Sequence, residues 1–268
     1  MKKVLSRIYI GLILFFLYAP IFVMIVFSFN DSKSRSVWQG FSLRWYSDLF
    51  RDQTIIDAVG RSLLVAVLAA VISTALGTMA AVGLRSINKR VKGFLMSLNS
   101  IPMVNPEIVT GVSMMLMFVV IYRATGMLKP GFATLLLSHI TFCVPYVILS
   151  VLPKLHQMNP HLYEAAQDLG CRPSLAFWKV VMPEIIPGII TGALMAFTLS
   201  LDDFVISYFT SGSTAQTLPV VIYSMTKKRI SPKINALSTI LFVTVLLLLI
   251  VINVRQMKED SKSAKAKK

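Results

Sequence analysis

Residues 164–170 read EAAQDLG, and after nine further residues the chain reads VVMP at 180–183. The first segment carries the signals of a short capped helix. Asn159 can serve as N-cap and Pro160 as the first helical residue, while Gly170 supplies the C′ position. These signals predict a helix of about ten residues with defined ends.

One face of this predicted helix is apolar and small, because four residues recur at i, i+3, i+4 and i+7: Leu162, Ala165, Ala166 and Leu169. Such a face lets the backbone of a partner approach closely, which indicates a docking surface for another protein. We expect Pro173 to open a second short helix and Pro183 to end it. The alternative is an ordinary helical hairpin that packs on its own domain.

The chain as a whole is too apolar for a soluble domain. Hydrophobic residues make up 55% of its 268 residues, charged residues 15%, and the mean hydropathy is +0.70. A membrane span needs about 20 apolar residues. Six stretches meet that length: 8–29, 62–84, 94–122, 132–152, 186–209 and 235–254. The sequence therefore predicts an all-α polytopic membrane protein with six transmembrane helices.

Two of these spans contain or follow residues that are unusual for a regular transmembrane helix. The first follows basic residues at 2, 3 and 7, but it is longer than the apolar part of a signal peptide and no Ala-x-Ala cleavage site follows it. We therefore expect a retained helix. The third predicts a kink or a short lead-in helix because its first half contains Pro102, Asn105, Pro106 and Glu107.

The distribution of basic residues predicts the orientation. With the N-terminus inside, the inner segments hold 16 of the 27 Lys and Arg residues, and cytoplasmic segments are the ones enriched in them. We expect both termini in the cytoplasm, with the hairpin 153–185 on the same side. A pI near 10.0 and the basic tail 255–268 are explained by contact with anionic lipid more simply than by nucleic acid.

Patterns for metal or nucleotide binding are missing from the sequence. His156 and His161 are five residues apart rather than three or four. We expect His139 to be a packed or hydrogen-bonded helix residue rather than a ligand. There is no G-x-x-x-x-G-K-[ST] phosphate loop, so if ATP is used, another polypeptide binds it.

The hairpin pattern E-A-A-x3-G-x9-[IV]-x-[LM]-P resembles the coupling loop of ABC-importer permeases. Other segments are similar to the spermidine/putrescine permeases of that family, and the likeness runs nearly end to end. These segments are WQGFS at 38–42, SHITFCVP at 138–145, TLSLDD at 198–203 and IYSM at 222–225. The resemblance implies the type I importer fold with a cytoplasmic coupling hairpin.

The resemblance also implies a non-catalytic subunit of a polyamine importer in the bacterial inner membrane. Its partners would be a second homologous permease, a homodimeric cytoplasmic ATPase that holds ATP and magnesium, and an extracytoplasmic polyamine-binding protein. This chain would hold no cofactor and no metal. The residues that would dock on the ATPase are Glu164, Ala165, Ala166, Gly170 and Pro183.

On this basis the chain divides into three parts. Residues 1–57 form the first helix and outer loop, residues 58–254 form the transport core, and residues 255–268 form the basic tail.

Three carboxylates lie within the predicted spans: Glu107, Asp202 and Asp203. A charge at mid-bilayer costs about 2.5–3.5 kcal/mol on insertion scales, so such residues usually face a water-filled path or a partner. We expect them to neutralise the ammonium groups of a passing polyamine, with Ser200 on the same polar stripe of the path. Alternatively, an aspartate pairs with a basic residue of the sister permease or caps a broken helix. For Glu107, a position in the first turn of a helix needs no substrate to explain it.

The first outer loop is rich in aromatic residues. Trp38, Trp45 and Tyr46 could hold ammonium groups by cation–π attraction, although Trp and Tyr also collect at membrane interfaces. We assign Trp38 to the interface, whereas for Trp45 the resemblance implies a role at the outer mouth of the substrate path or in docking of the binding protein. Gly188 and Gly192 form a G-x-x-x-G that indicates close helix packing.

Other functions remain open at this level. The chain could be a permease for another small organic solute, an autonomous ion-coupled carrier, or a membrane scaffold. A capped cytoplasmic docking helix and the lack of internal repeats disfavour the carrier. Buried carboxylates disfavour the scaffold.

Overall fold

The computed structural model describes residues 2–32, 37–159, 161–228, 232–247 and 250. In these ranges the regular elements are helices, and strand pairing is limited to one isolated antiparallel bridge between Asn30 and Phe41. Five helices among the described residues are long and apolar enough to cross a membrane. The prediction of an all-α polytopic protein is confirmed.

The helices follow the predicted spans in outline. In chain order they are α1 (Lys2–Ser28), α2 (Arg44–Phe50), α3 (Gln53–Arg85), α4 (Lys89–Val104), α5 (Glu107–Thr125), α6 (Phe132–Gln157), α7 (His161–Asp168), α8 (Pro173–Ala176), α9 (Met182–Asp202), α10 (Val205–Thr210), α11 (Leu218–Lys228) and α12 (Lys233–Leu247). The sixth predicted span begins in α12. Its residues 248–249 and 251–254, the tail 255–268 and Pro160 lie outside the described residues.

The third predicted span is two helices, as its prolines indicated. α4 ends at Val104 and α5 begins at Glu107. Between them Asn105 is extended, with φ −72° and ψ 137°, as favoured by the ring of Pro106, which crowds the helical conformation of the residue before it. The expected lead-in helix is therefore confirmed and corresponds to α4.

The fifth span differs from its predicted extent at both ends. α8 continues through one π-helical turn, Phe177–Val181, into α9, so the expected helix stop at Pro183 is wrong. Pro183 directly follows the π-helical turn, whose last bond runs from the N–H of Met182 to the carbonyl oxygen of Phe177. The change of hydrogen-bond spacing at this turn accommodates the missing N–H of Pro183 without ending the helix. At its other end α9 stops at Asp202, so the predicted continuous helix over 186–209 is also wrong.

The packing of the chain divides it into two units, 57–221 and 1–56 with 222–268. In the first unit the core lies around α6, which packs along α9. Its fully buried residues include Val147, Val151 and Ile185. In the second unit, the most apolar 18-residue stretch of α1 has no buried residue, although Ser28 at the end of the helix is buried. Such a stretch is typical of a helix that faces lipid or another chain.

The G-x-x-x-G of α9 allows its close approach to α6. A Cβ atom on Gly188 would lie 2.9 Å from the carbonyl oxygen of Ser150, and one on Gly192 would lie 3.2 Å from Cα of Val147. Because both neighbours are backbone atoms of α6, they cannot move aside as a flexible side chain would. The predicted role of these glycines in helix packing is confirmed.

This contact yields a stability prediction. Gly188→Ala should lower the free energy of unfolding by about 1–3 kcal/mol, because the new methyl group forces the two helices apart. Thermal unfolding of the purified protein in detergent measures the change. Gly93→Ala is the matched control, since a Cβ at Gly93 in α4 meets nothing within 4 Å and alanine is the better helix former. Equal effects of the two substitutions would contradict the packing role.

Candidate functional site

α7 is capped at both ends. At its start the N–H of His161 donates to Oδ1 of Asn159 at 3.0 Å, which confirms the predicted N-cap. At its end Gly170 has φ +84°, and the N–H of Cys171 donates to the carbonyl of Ala166 at 3.0 Å. This bond closes a Schellman motif and confirms Gly170 as the C′ residue. A helix of eight residues thus has fixed ends.

Most of the predicted docking face is open. Leu169 is 90% exposed and Leu162 is 44% exposed. Ala165 and Glu164 are exposed as well, whereas Ala166 is half-buried. The described residues of this chain therefore leave a small apolar surface uncovered on α7.

The hairpin is anchored to its own unit by the opposite side of α7. Tyr163 packs against the core that surrounds α6. Beneath it lies a cavity of about 390 Å³ lined by Val82, Arg85, Ser86, Leu155, Tyr163, Glu164, Phe177 and Val181. The hairpin is thus attached without being buried, and α7 contains no buried residue.

At the far end of α9, Asp203 shapes the break in the fifth span. Its Oδ2 accepts the N–H of Ser207 at 2.7 Å, and its Oδ1 accepts the N–H of Ile206 at 3.3 Å. The carboxylate therefore satisfies the first free N–H donors of α10. Capping of a broken helix, one of the predicted alternatives for an aspartate, is the contact observed for Asp203.

A buried histidine joins the two sides of the break. His139 of α6 is 1% exposed. Its Nδ1 lies 2.7 Å from Oγ of Ser200 on α9, and its Nε2 lies 3.0 Å from Oγ of Ser207 on α10. Nε2 is also 3.5 Å from Oδ2 of Asp203. The expectation that His139 is a packed, hydrogen-bonded residue is confirmed.

The other two intramembrane carboxylates are turned outward. Asp202 and Glu107 are both exposed, and neither forms a salt bridge within the part of the chain that the structure describes. They are close enough for their charges to interact with each other, and Asp202 also interacts with Asp203. Glu107 is the first residue of α5, which agrees with its predicted position in the first turn of a helix. The structure thus brings Glu107, Asp202 and Asp203 together.

The predicted path residues therefore fall into two groups. Glu107 and Asp202 are accessible, whereas Asp203 and Ser200 are buried and already hydrogen-bonded. Whether any of them contacts a substrate stays a prediction.

Trp45 occupies a different setting, in the unit that contains α1 and α2. Its ring is buried, and its Nε1 donates to the carbonyl of Asn30 at 2.7 Å. The guanidinium of Arg44 lies 5.4 Å from the ring centroid. Both the polar edge and one face of the indole thus have partners in the chain, and the role of Trp45 at the outer mouth stays a prediction.

The hydrogen-bonded group around His139 is the feature that sequence reasoning missed. A histidine in an apolar span signals that partners must exist, because an unpaired polar group there is costly. The partners themselves are 61 and 68 residues away along the chain, so no local pattern identifies them. Among the described residues no three His, Cys, Asp or Glu side chains come together as a metal site.

Comparison with known proteins shows a consistent relationship. The family model for the inner membrane component of binding-protein-dependent transport systems matches residues 73–257. The putrescine transport system permease protein PotI of Escherichia coli K12 is 42% identical over 229 residues, covering 84% of this chain and 81% of the relative. The spermidine/putrescine permease protein PotC of the same organism is 38% identical over 235 residues, covering 88% and 87%.

Solved structures agree on the fold. A chain of a bacterial ABC transporter that imports the acidic polysaccharide alginate superimposes with a TM-score of 0.75, covering 96% of this chain and 94% of that one, at 16% sequence identity. The predicted type I ABC-importer fold is therefore confirmed, while an identity this low carries no information about substrate.

The cap at the helix break yields a second prediction. Asp203→Ala should lower the free energy of unfolding by about 1–2 kcal/mol, because two buried N–H groups lose their acceptor. Asp203→Asn keeps one acceptor oxygen and should cost less. The midpoint of thermal unfolding in detergent measures both. Asp202→Ala, the same change one residue earlier at an exposed carboxylate, is the control, and an equal loss there would rule out the capping role.

Proposed function

Since the chain belongs to the family of inner membrane components of binding-protein-dependent transport systems, we propose that it is one permease subunit of an ATP-driven importer for polyamines. Its identity of 42% and 38% to permeases for putrescine and for spermidine/putrescine supports this substrate class. The subunit performs no chemistry. It forms half of the translocation path and transmits movement from a separate ATPase.

The proposed assembly has four kinds of component. A second, homologous permease completes the path, and a homodimeric ATPase on the cytoplasmic side binds ATP and magnesium. An extracytoplasmic polyamine-binding protein delivers the substrate. The absence of a G-x-x-x-x-G-K-[ST] phosphate loop from the sequence supports a separate ATPase, since ATPases of the P-loop class hold the phosphates of ATP on the backbone N–H groups of that loop. The bias of Lys and Arg supports cytoplasmic termini.

The exposed, doubly capped α7 is the observation that carries the coupling role. Its ends are fixed by Asn159 and Gly170, so docking costs little ordering of the backbone. Its open face is small at Ala165 and apolar at Leu169, which suits insertion into a groove of the ATPase. Glu164 adds a charge at the rim, where its Oε2 lies 3.2 Å from Nδ1 of His161.

The roles of the remaining docking residues are different. Ala166 is half-buried and its carbonyl closes the Schellman motif, so it supports the helix end. Pro183 lies in the first turn of α9, where it stiffens the connection between the hairpin and the membrane.

For the substrate, Glu107 and Asp202 are the residues that geometry favours. Both are exposed and their charges interact, so a cation between them relieves a repulsion. The ammonium groups of a polyamine need such acceptors once their water is removed. Asp203 contributes negative charge behind them while its oxygens cap α10. The competing partner for these carboxylates is a Lys or Arg of the sister permease.

The coupling role predicts a specific loss. Glu164→Lys and Gly170→Pro should leave the membrane helices folded but uncouple uptake from ATP hydrolysis, since proline cannot adopt φ +84°. Uptake of labelled polyamine and ATP hydrolysis, measured together in the reconstituted complex, test this. Asp31→Lys is the control, because Asp31 is an exposed carboxylate in the first outer loop, outside the hairpin 153–185. Coupled uptake in both α7 variants would refute the assignment.

The substrate role predicts a loss of affinity. Asp202→Asn and Glu107→Gln should each raise the KM for spermidine and putrescine about tenfold, since a hydrogen bond to a charged group contributes about 1.5–3 kcal/mol. Uptake kinetics in vesicles measure the change, with recovery of the assembled complex as the check on folding. Glu184→Gln removes an exposed carboxylate elsewhere and should have no effect. Unchanged KM values in both test variants would refute the assignment of Asp202 and Glu107 as substrate contacts.

A further inference from the structure

The break between α9 and α10 is held from outside the fifth span, by α6. His139 reaches Ser200 on the α9 side and Ser207 on the α10 side, at 2.7 and 3.0 Å. All three residues are at least 97% buried. One side chain of α6 therefore spans the point at which the backbone changes direction.

We propose that His139 is a positioning residue of the transport path: it fixes α10 relative to α9 and thereby sets where the carboxylate of Asp202 stands with respect to Glu107. The proposal rests on the proposed function in taking these two carboxylates as substrate contacts. His139 itself, being buried, does not touch the substrate.

α6 holds the other end of α10 as well. The hydroxyl of Thr134 lies 2.8 Å from the carbonyl oxygen of Thr210, the last residue of α10, and it accepts the N–H of Gly131 at 2.8 Å. α10 is thus tied to α6 at its first turn through His139 and at its last turn through Thr134. A helix of six residues held at both ends cannot tilt independently of α6.

The position of α10 also bears on Glu107. α5 rests directly on α10 at Gly111, where a Cβ atom would lie 3.0 Å from Cδ2 of Phe209 and 3.5 Å from Cα of Ile206. Glu107 is four residues before Gly111, on the same face of α5. Asp202 is the last residue of α9 and is joined to α10 by the chain at the break. Glu107 belongs to α5, which contacts α10 at Gly111. A shift of α10 therefore changes the distance between the two carboxylates.

Histidine is suited to this position because its two ring nitrogens point in different directions. Each nitrogen meets a serine hydroxyl, and a hydroxyl can either donate or accept, so one tautomer of the neutral ring satisfies both contacts. Leucine would remove the histidine partner of both buried hydroxyls, leaving Ser207 with the carboxylate of Asp203 alone. Asparagine is shorter and can replace one contact only.

Transport kinetics form the first arm of the test. His139→Leu should raise the KM for spermidine about tenfold, an effect of the size expected from losing buried hydrogen bonds, while His139→Asn should give a smaller rise. The paired change Ser200→Ala with Ser207→Ala should reproduce the effect of His139→Leu, because it removes the same two contacts from the other side.

The control for general damage is Leu135→Ala. Leu135 is fully buried on the same helix, one turn before His139, and packs with Val65 and Ala215 rather than with the break. It should lower stability without raising KM. A rise in KM equal to that of His139→Leu would mean that any loss of packing in α6 weakens transport, and would overturn the proposal.

Thiol accessibility forms the second arm and needs no substrate. In a chain with Cys143 and Cys171 replaced, Tyr208→Cys reports on α10 and Met195→Cys reports on α9; both native side chains are more than 40% exposed. Adding His139→Asn should change the rate of modification by a membrane-permeant thiol reagent severalfold at position 208 and leave it unchanged at position 195.

The two arms separate this proposal from the proposed function. If no polyamine is transported but reactivity changes at position 208 alone, the substrate assignment fails while His139 still positions α10. Equal changes at both positions, or none at either, would overturn the role of His139 even if polyamine uptake is confirmed.

Discussion

Polar groups buried in the apolar interior of this chain must find partners within it, because hydrocarbon offers none. This requirement is most demanding at the break of the fifth span, where α9 ends and α10 begins. Asp203 accepts the free N–H groups of α10, and His139 pairs the serine hydroxyls on both sides. These contacts make an interrupted span possible and leave Asp202 exposed beside Glu107.

The same pair of helices connects this break with the cytoplasmic hairpin. α9 begins at the π-helical turn, next to the cavity beneath α7, and ends at the break. Along its length it lies against α6, close enough that Gly188 and Gly192 face backbone atoms. A continuous, tightly packed helix thus leads from the proposed docking surface to the proposed substrate carboxylates. It provides a physical route by which movement of the hairpin reaches the substrate path.

Features that depend on near neighbours could be predicted from the sequence. Asn159 and Gly170 act within a few residues of their positions, so the two caps of α7 were recognisable. Pro106 favours an extended conformation at Asn105, so the lead-in helix was recognisable too. Pro183 was misjudged because its effect depends on the turn before it: the π-helical turn Phe177–Val181 leads directly into α9, so the helix continues through the proline.

The sequence by itself determined that the chain is apolar and helical, how long most of its spans are, and which short helix carries a small, exposed face, because each of these follows from composition and from contacts within one or two turns. The tertiary structure alone decided that Asp203 points inward and Asp202 outward. α9 ends at Asp202 and Asp203 is extended, with φ −60° and ψ 124°, so the carboxylate of Asp203 leaves the helix face of Asp202 and accepts the N–H groups of α10. His139, more than 60 residues away in sequence, lies on the side to which Asp203 turns.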